Sequence, residues 1–436
     1  MINLSGYRVT QQIYESDHTL VYRGIQENQQ ISVILKLPRN DYPSFNELVR
    51  FRNQYTIAKT LNLPGIVKPL ALERYRNGYV LVMEDCGGVS LLEYSGSHPL
   101  NIPQFLQLAI AITQILDGLY QQGVIHKDIK PANIIINPQT LEIKLIDFSI
   151  SSRLPKENPE LLHPHLLQGT LSYISPEQTG RMNRGIDYRT DFYSLGVSFY
   201  ELLVGQLPFP SLDPMELIHA HLAKIPAFPH HIKPDIPVSL SQIVMKLMAK
   251  NPEDRYQSAY GLRHDLQLCL QQWENINPVI YFDLGGRDIS DRFVIPEKLY
   301  GREADVKTLL AAFERVATGS REMMVVAGFS GIGKTALVNE VHKPIVRQNG
   351  YFIQGKFDQF QQNRPFSALI QALRDLMGQL LSESAAQVEA WKRQILDALG
   401  EQGQVIIDVI PEMERLMGQQ PSVTELTPDA AQNRFR

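Results

Sequence analysis

Six short polar motifs stand in order within the first 256 residues, and most of them adjoin a run of apolar residues. They are "SVILK" ending in Lys36, "HKDIKPAN" at 126–133 leading into "NIIIN", "EIKLIDFS" containing Asp147, "SPE" ending in Glu177, "DYRTDFYSLG" containing Asp191, and "NPEDRY" containing Arg255. Around them the pattern changes along the chain. Residues 1–100 alternate apolar and polar positions ("VILKL", "YVLVME"), which predicts a small sheet with one helix. Residues 101–270 read as mainly helical, with short strands at "NIIIN" and "EIKLIDF". Residues 271–298 have no helical period and carry Gly-Gly and prolines, which predicts a linker. From Leu299 the pattern becomes helix, strand, glycine-rich turn, helix, strand.

A chain of 436 residues is long enough for two or three separate cores. Its formal net charge is −4 and it has no long basic run, so nucleic acid and anionic membranes are poor partners for it. The N-terminal residues lack the pattern of a signal peptide. The most apolar stretch, "FLQLAIAITQIL", carries glutamines and is short for a bilayer span. Cys86 and Cys269 are isolated, which argues against a disulfide framework or a zinc site. A cytoplasmic setting is expected.

Phosphoryl transfer from ATP needs a cation on the phosphates, metal ligands, and a base to orient the acceptor hydroxyl. Lys36, at the end of its strand, suits the first role. Asp128 would take the hydroxyl proton, and Asn133 and Asp147 would each hold a Mg²⁺ ion. The ordered set resembles the eukaryotic-type Ser/Thr protein kinases over about residues 7–268, and implies their α+β bilobal fold across a domain at 1–270. The resemblance further implies that Lys130 meets the transferring phosphate, and that Met83, Glu84, Asp85 and Cys86 form the hinge over adenine, with Glu84 and Cys86 binding it. Asp191 would brace the catalytic loop and Arg255 would pair with Glu177. Protein substrates would be phosphorylated on serine or threonine.

Three features depart from that pattern. The phosphate loop has Tyr14, Ser16 and Thr19 where glycines are usual, which predicts a weaker grip on nucleotide. Counting back from "LNLPGIV" puts Gln54 where a glutamate normally pairs with the lysine; Glu47 lies about 10 Å away along the helix axis. Lys127 precedes the catalytic aspartate in place of arginine, and lysine cannot form the bidentate fork that locks an activating phosphate. Thr170, in "QGTLSY", matches a threonine that contacts the catalytic loop. Since Lys36, Asp128 and Asp147 all remain, the expectation is an active kinase. The alternative is a catalytically silent scaffold switched by nucleotide in the second domain.

That second domain, 299–436, carries Gly328-Phe329-Ser330-Gly331-Ile332-Gly333-Lys334-Thr335, a G-x-x-x-x-G-K-[ST] phosphate loop between an apolar run and the helix "ALVNEVHKPIV". Gly328, Gly331 and Gly333 would let the backbone approach the phosphates of ATP. Lys334 would reach the β/γ oxygens and Thr335 would hold Mg²⁺. "YGRE" at 300–303 is similar to the entry motif of AAA-like ATPases, and the resemblance implies the N-terminal part of an α/β P-loop NTPase domain. Asp408, in "QVIIDVIPE", is a poor candidate for the acidic residue that hydrolysis needs; that strand is expected beyond Arg436. Kinase, "YGRE" and phosphate loop in this order resemble large multi-domain signalling kinases of cyanobacteria and related bacteria. In that family sensor and histidine-kinase modules follow. The histidine patches at 163–165 and 229–231 lack partners at ligand spacing and read as loop histidines.

Overall fold

A computed structural model of the chain describes residues 4–153, 169–180, 185–275, 282–289, 301–329, 331–340, 350–357, 366–381 and 385–421. Near the N-terminus, β1 (Tyr7–Glu15), β2 (Thr19–Gln26), β3 (Ile31–Pro38), β4 (Pro69–Tyr75) and β5 (Gly78–Glu84) form an antiparallel sheet in the order β1-β2-β3-β5-β4. The period of two in β3 sends Val33, Leu35 and Leu37 to one face, where they pack with Tyr7, Val80 and Val82. Lys36 therefore points to the other face, which is covered by helix α1 (Phe45–Thr60) through Phe51 packed with Leu81 and Met83. α1 starts at Ser44, whose hydroxyl accepts from the Glu47 amide while Glu47 accepts from the Ser44 amide, a capping box.

The larger lobe is helical: α2 (Leu91–Ser97), α3 (Ile102–Gln121), α4 (Arg189–Val204), α5 (Pro214–Ala223), α6 (Pro229–Ile232), α7 (Val238–Leu247) and α8 (Ala259–Asn275). A three-stranded sheet, β6 (Val89–Ser90), β7 (Ile134–Ile136) and β8 (Ile143–Leu145), lies beside them, and its β7–β8 hairpin separates Asn133 from Asp147. α3 is long and apolar enough by composition to cross a membrane, but ten of its residues are buried in the core of this lobe. Cys86 and Cys269 are both free thiols.

The stretch expected as a linker is partly built into this lobe. α8 runs to Asn275, and residues 282–289 return to it, with Phe282 and Leu284 packed against the helical core. Turn-forming glycines, which suggested a loose connection, instead serve a tight turn: Gly285 has φ +77°.

The described residues from 301 onward contain helices and no strand. α9 (Glu303–Ala317) and α10 (Lys334–Asn339) flank the phosphate loop in sequence, and further helices at Ser367–Leu380, Ala385–Leu399, Gly403–Val409 and Glu414–Met417 share an apolar core that includes Met377, Leu380, Ile407, Ile410 and Met413. The strand expected before the phosphate loop does not form: Met323 and Val325 are 90% and 82% exposed and lie in no regular element. A strand needs neighbours to take its backbone hydrogen bonds, and the described residues here supply none. Asp408 sits in the Gly403–Val409 helix, bonded by the Gln404 amide. It is not at a strand end.

Candidate active site

β3 and α1 bring Lys36 and Gln54 together. The Lys36 ammonium donates to Gln54 Oε1 at 2.8 Å and to Asp147 Oδ1 at 3.1 Å, so one cation ties the sheet, the helix and the "DFS" turn. Gln54 is 4% exposed, and its amide nitrogen reaches Met83 Sδ at 3.7 Å, which locks the rotamer that faces the lysine. Glu47 is committed to Ser44 and His18 and takes no part. Burial alone would raise the pKa of Asp147. The Lys36 charge, with hydrogen bonds from Ser149 and Lys36, outweighs it and holds Asp147 well below the usual carboxylate range. Asp147 also has φ +67°, a left-handed backbone in the turn that sets its side chain against Lys36.

The second cluster surrounds Asp128. Its Oδ2 accepts from Lys130 Nζ at 2.8 Å and from Asn133 Nδ2 at 2.9 Å; its Oδ1 accepts from the Thr170 amide at 3.1 Å and hydroxyl at 3.0 Å. Four donors thus fill the four lone-pair directions of one carboxylate. Lys130 also bonds the Thr170 hydroxyl. The loop beneath is pinned by Asp191, which accepts from the amides of His126 (2.8 Å) and Lys127 (2.7 Å). Burial raises the Asp191 pKa against the pull of His126 and these amides, and the side chain is wholly enclosed. Arg255 meets Glu177 in a bidentate pair at 2.7 and 2.8 Å, 1% exposed on each side, with Thr190 donating to the same carboxylate. Burial would raise Glu177, but Arg255 brings its pKa below the ordinary value.

The glycine-poor loop folds without glycine. Tyr14, Ser16 and Thr19 all keep negative φ, and the β1–β2 turn closes through Ser16 N to Thr19 O at 2.9 Å and Thr19 N to Ser16 Oγ at 3.1 Å. The Ser16 hydroxyl is thereby occupied within the turn. Arg39 holds the Ser16 carbonyl at 3.1 Å.

At the hinge, Glu84 accepts from Lys144 at 2.6 Å and from the Lys68 amide at 3.1 Å, so its side chain faces the lobe junction. Asp85 accepts from Ser32, Arg23 and the Gly87 amide, and the Cys86 carbonyl accepts from Asn137 at 3.1 Å. Burial pushes the Cys86 thiol up, so it is not a reactive thiolate. Sequence reasoning missed these hinge anchors, and it missed Asn53, whose amide donates to the Ser149 and Ser151 carbonyls at 2.9 and 3.0 Å. Nothing in the local sequence marks them; they are polar residues whose partners lie tens of positions away.

Among the described residues no group of three His, Cys, Asp or Glu gathers as a metal site. The histidines at 163–165 lie outside the described residues; His230 pairs with Ser241 Oγ at 2.8 Å. In the second module Gly331 and Gly333 take φ +82° and +92°, the left-handed backbone that a phosphate loop requires. Lys334 folds over the loop, donating to the Gly328 and Phe329 carbonyls at 2.9 and 2.8 Å, and Thr335 is exposed in the first turn of α10. Gly328 lies against Ile332.

Residues 7–266 match the protein kinase domain family. The chain belongs to that family. Residues 298–436 match the AAA ATPase domain family, so an AAA-type module follows the kinase domain. Among curated relatives, hybrid signal transduction histidine kinase G of Dictyostelium discoideum is 34% identical over 425 residues, covering 77% of this chain and 12% of that protein. The serine/threonine-protein kinase PknB of Mycolicibacterium smegmatis is 34% identical over 242 residues, covering 54% of this chain and 38% of its own length. Probable serine/threonine-protein kinase CPE1738 of Clostridium perfringens is 29% identical over 265 residues, covering 60% and 38%. The chain thus spans only 12–38% of these relatives. The kinase match covers both polar clusters, and the bilobal fold carries them where the two lobes meet.

Proposed function

We propose that the chain is an ATP-dependent serine/threonine protein kinase with a second nucleotide-binding module. The observation that carries this reading is the double engagement of Lys36 by Gln54 and Asp147, opposite an Asp128 held by Lys130, Asn133 and Thr170. Each group suits one task. Lys36 is anchored so that its ammonium can meet the α- and β-phosphates of ATP. Asn133 spends its amide nitrogen on Asp128, which leaves its side-chain oxygen for a cation. Asp147 supplies an anionic oxygen, and an amide oxygen with a carboxylate is a donor set that fits Mg²⁺. That ion would neutralise charge building on the phosphates during transfer.

Asp128 acts as the base that orients the acceptor hydroxyl. Because its lone pairs are filled, the incoming hydroxyl must displace a donor. The Thr170 hydroxyl is the one that can rotate away while the Thr170 amide stays in place. The hydroxyl proton then passes to Asp128, its oxygen bonds the γ-phosphorus as the bond from that phosphorus to the β,γ-bridging oxygen breaks and ADP leaves, and Lys130 stabilises the transferring phosphoryl group. Glu84 and Cys86 line the adenine edge through their backbone. Gly328, Gly331, Gly333, Lys334 and Thr335 form the second ATP site, with Thr335 toward Mg²⁺. A cytoplasmic setting, where ATP and protein substrates meet, agrees with two free thiols. Downstream sensor and histidine-kinase modules in the whole protein agree with the name of the Dictyostelium relative.

The test is labelled ATP with a generic acceptor protein, wild type against Asp128→Asn. Serine or threonine labelling that disappears in the variant is the expected result. Equal labelling would place the activity elsewhere, and none from either protein, with nucleotide bound, would favour a silent scaffold.

A further inference from the structure

The family match stops at residue 266, yet residues 282–289 are hydrogen-bonded into the C-terminal lobe. Asp288 is their centre. Its Oδ2 accepts from the Gln257 amide at 2.8 Å, and its Oδ1 accepts from the amide and the hydroxyl of Ser258, each at 2.8 Å. Ser258 in turn accepts from the Gly261 amide at 3.0 Å and so caps α8. A carboxylate over two backbone amides at a helix start is favoured by charge as well as by hydrogen bonding. Gly261 makes room for it, since a Cβ there would come within 2.6 Å of the Asp288 backbone. A second tie lies one turn further: Asp265, 1% exposed, accepts from the Gly285 amide at 2.8 Å and from the Tyr256 hydroxyl at 2.6 Å.

The turn that Asp288 grips, residues 255–258, is where the catalytic lobe is fastened. Arg255 holds Glu177 at the end of the activation segment. The Gln257 side chain accepts from Arg189 at 2.9 Å, its carbonyl accepts from Tyr188 at 2.7 Å, and Arg189 chelates Asp187. Two residues on, Asp191 carries the amides of His126 and Lys127, directly before Asp128. We propose that Asp288 is a positioning residue of the kinase: by clamping the Gln257–Ser258 amides it fixes the turn that orients Glu177, Arg189 and, through Asp191, the catalytic loop. The working kinase unit therefore extends to residue 288. This rests on the kinase reading above.

Two measurements on the full 436-residue chain test it. Steady-state phosphorylation of a generic acceptor is followed for Asp288→Ala, Asp288→Asn and Gly261→Ala. Alanine is the better helix former at 261, so Gly261→Ala evicts Asp288 without weakening α8 itself. All three should lower kcat/KM for the acceptor, about tenfold for Asp288→Ala, the scale of losing a helix cap. Affinity for ATP without Mg²⁺, which rests on Lys36 and the hinge in the other lobe, should change less than about twofold, within the range of independent distant sites. Amide hydrogen exchange supplies the second readout. In Asp288→Ala, faster exchange should spread from Gln257 and Ser258 to Thr190, Asp191, His126 and Lys127. Exchange confined to 257–261, or an unchanged kcat/KM in Gly261→Ala, would overturn the proposal. If the wild type transfers no phosphate, the kinase reading fails, and the exchange pattern still decides whether Asp288 positions the loop.

Discussion

Replacing Gln54 with glutamate puts a second carboxylate beside Lys36, where the amide oxygen now sits at 2.8 Å. At that separation the added Coulomb attraction is about 6 kcal/mol for an effective dielectric constant of ~20. Against it stands the desolvation of a carboxylate at a site only 4% exposed, several kcal/mol even after relaxation. The variant also loses the contact of the amide nitrogen with Met83 Sδ. The terms nearly cancel, so Gln54→Glu should leave kcat/KM for ATP unchanged or raise it by at most about tenfold, equivalent to ~1.4 kcal/mol. Gln54→Leu is the opposite control. It removes a hydrogen bond to a charged donor, worth ~1.5–3 kcal/mol, and should lower kcat/KM by about 10- to 100-fold. The assay is initial-rate phosphorylation over a range of ATP, with thermal unfolding to confirm that each variant is folded. A large loss in a stably folded Gln54→Glu, or no loss in Gln54→Leu, would refute the claim that this contact orients Lys36 for catalysis.

Three further outcomes follow from the same structure. Arg255→Ala leaves the Glu177 carboxylate buried without its partner, so urea unfolding should show a loss of about 3–5 kcal/mol, whereas Arg255→Ala combined with Glu177→Ala should recover part of it. Lys250 is lowered to about 7, first by burial and then by the nearby Arg255, so in the unfolded chain it binds a proton that the folded chain releases above that pH. Stability should therefore rise with pH from about 7 toward its unfolded value, and that rise should be smaller in Lys250→Met when urea midpoints are compared at pH 7 and 9. Lys334→Ala should reduce the stoichiometry of a non-hydrolysable ATP analogue from about two to one in calorimetric titration while phosphotransfer persists, because the phosphate loop lies in the AAA ATPase match and the kinase residues lie in the kinase match. An unchanged stoichiometry in a chain that binds two would remove the phosphate-loop assignment.

Much of the site could be read from sequence because its chemistry is concentrated in contiguous motifs. Asp128, Lys130 and Asn133 share one short loop, and their mutual hydrogen bonds follow from that spacing. Lys36 could be read as a charge at the end of an alternating strand, and its face is fixed by the period of two in β3. The register of α1 was also recoverable, since a count back from "LNLPGIV" lands on the residue that meets Lys36. Gly331 and Gly333 announce a left-handed turn because only glycine enters it without strain. Tertiary structure decided the rest. A missing glycine does not show whether a loop must have positive φ; the β1–β2 turn solves its closure with Ser16 and Thr19 in ordinary conformations. The Asn53, Asn137 and Lys144 contacts depend on chain segments that meet only after both lobes have packed. The strand expected at 323–326 failed for a related reason: a strand is not a local property, and its backbone needs neighbours. Gly-Gly and Asp at 285–288 looked like linker composition because turn residues are the same whether a loop is free or docked. Only packing onto α8, with a notch at Gly261 and two open amides to fill, turned Asp288 into part of the lobe.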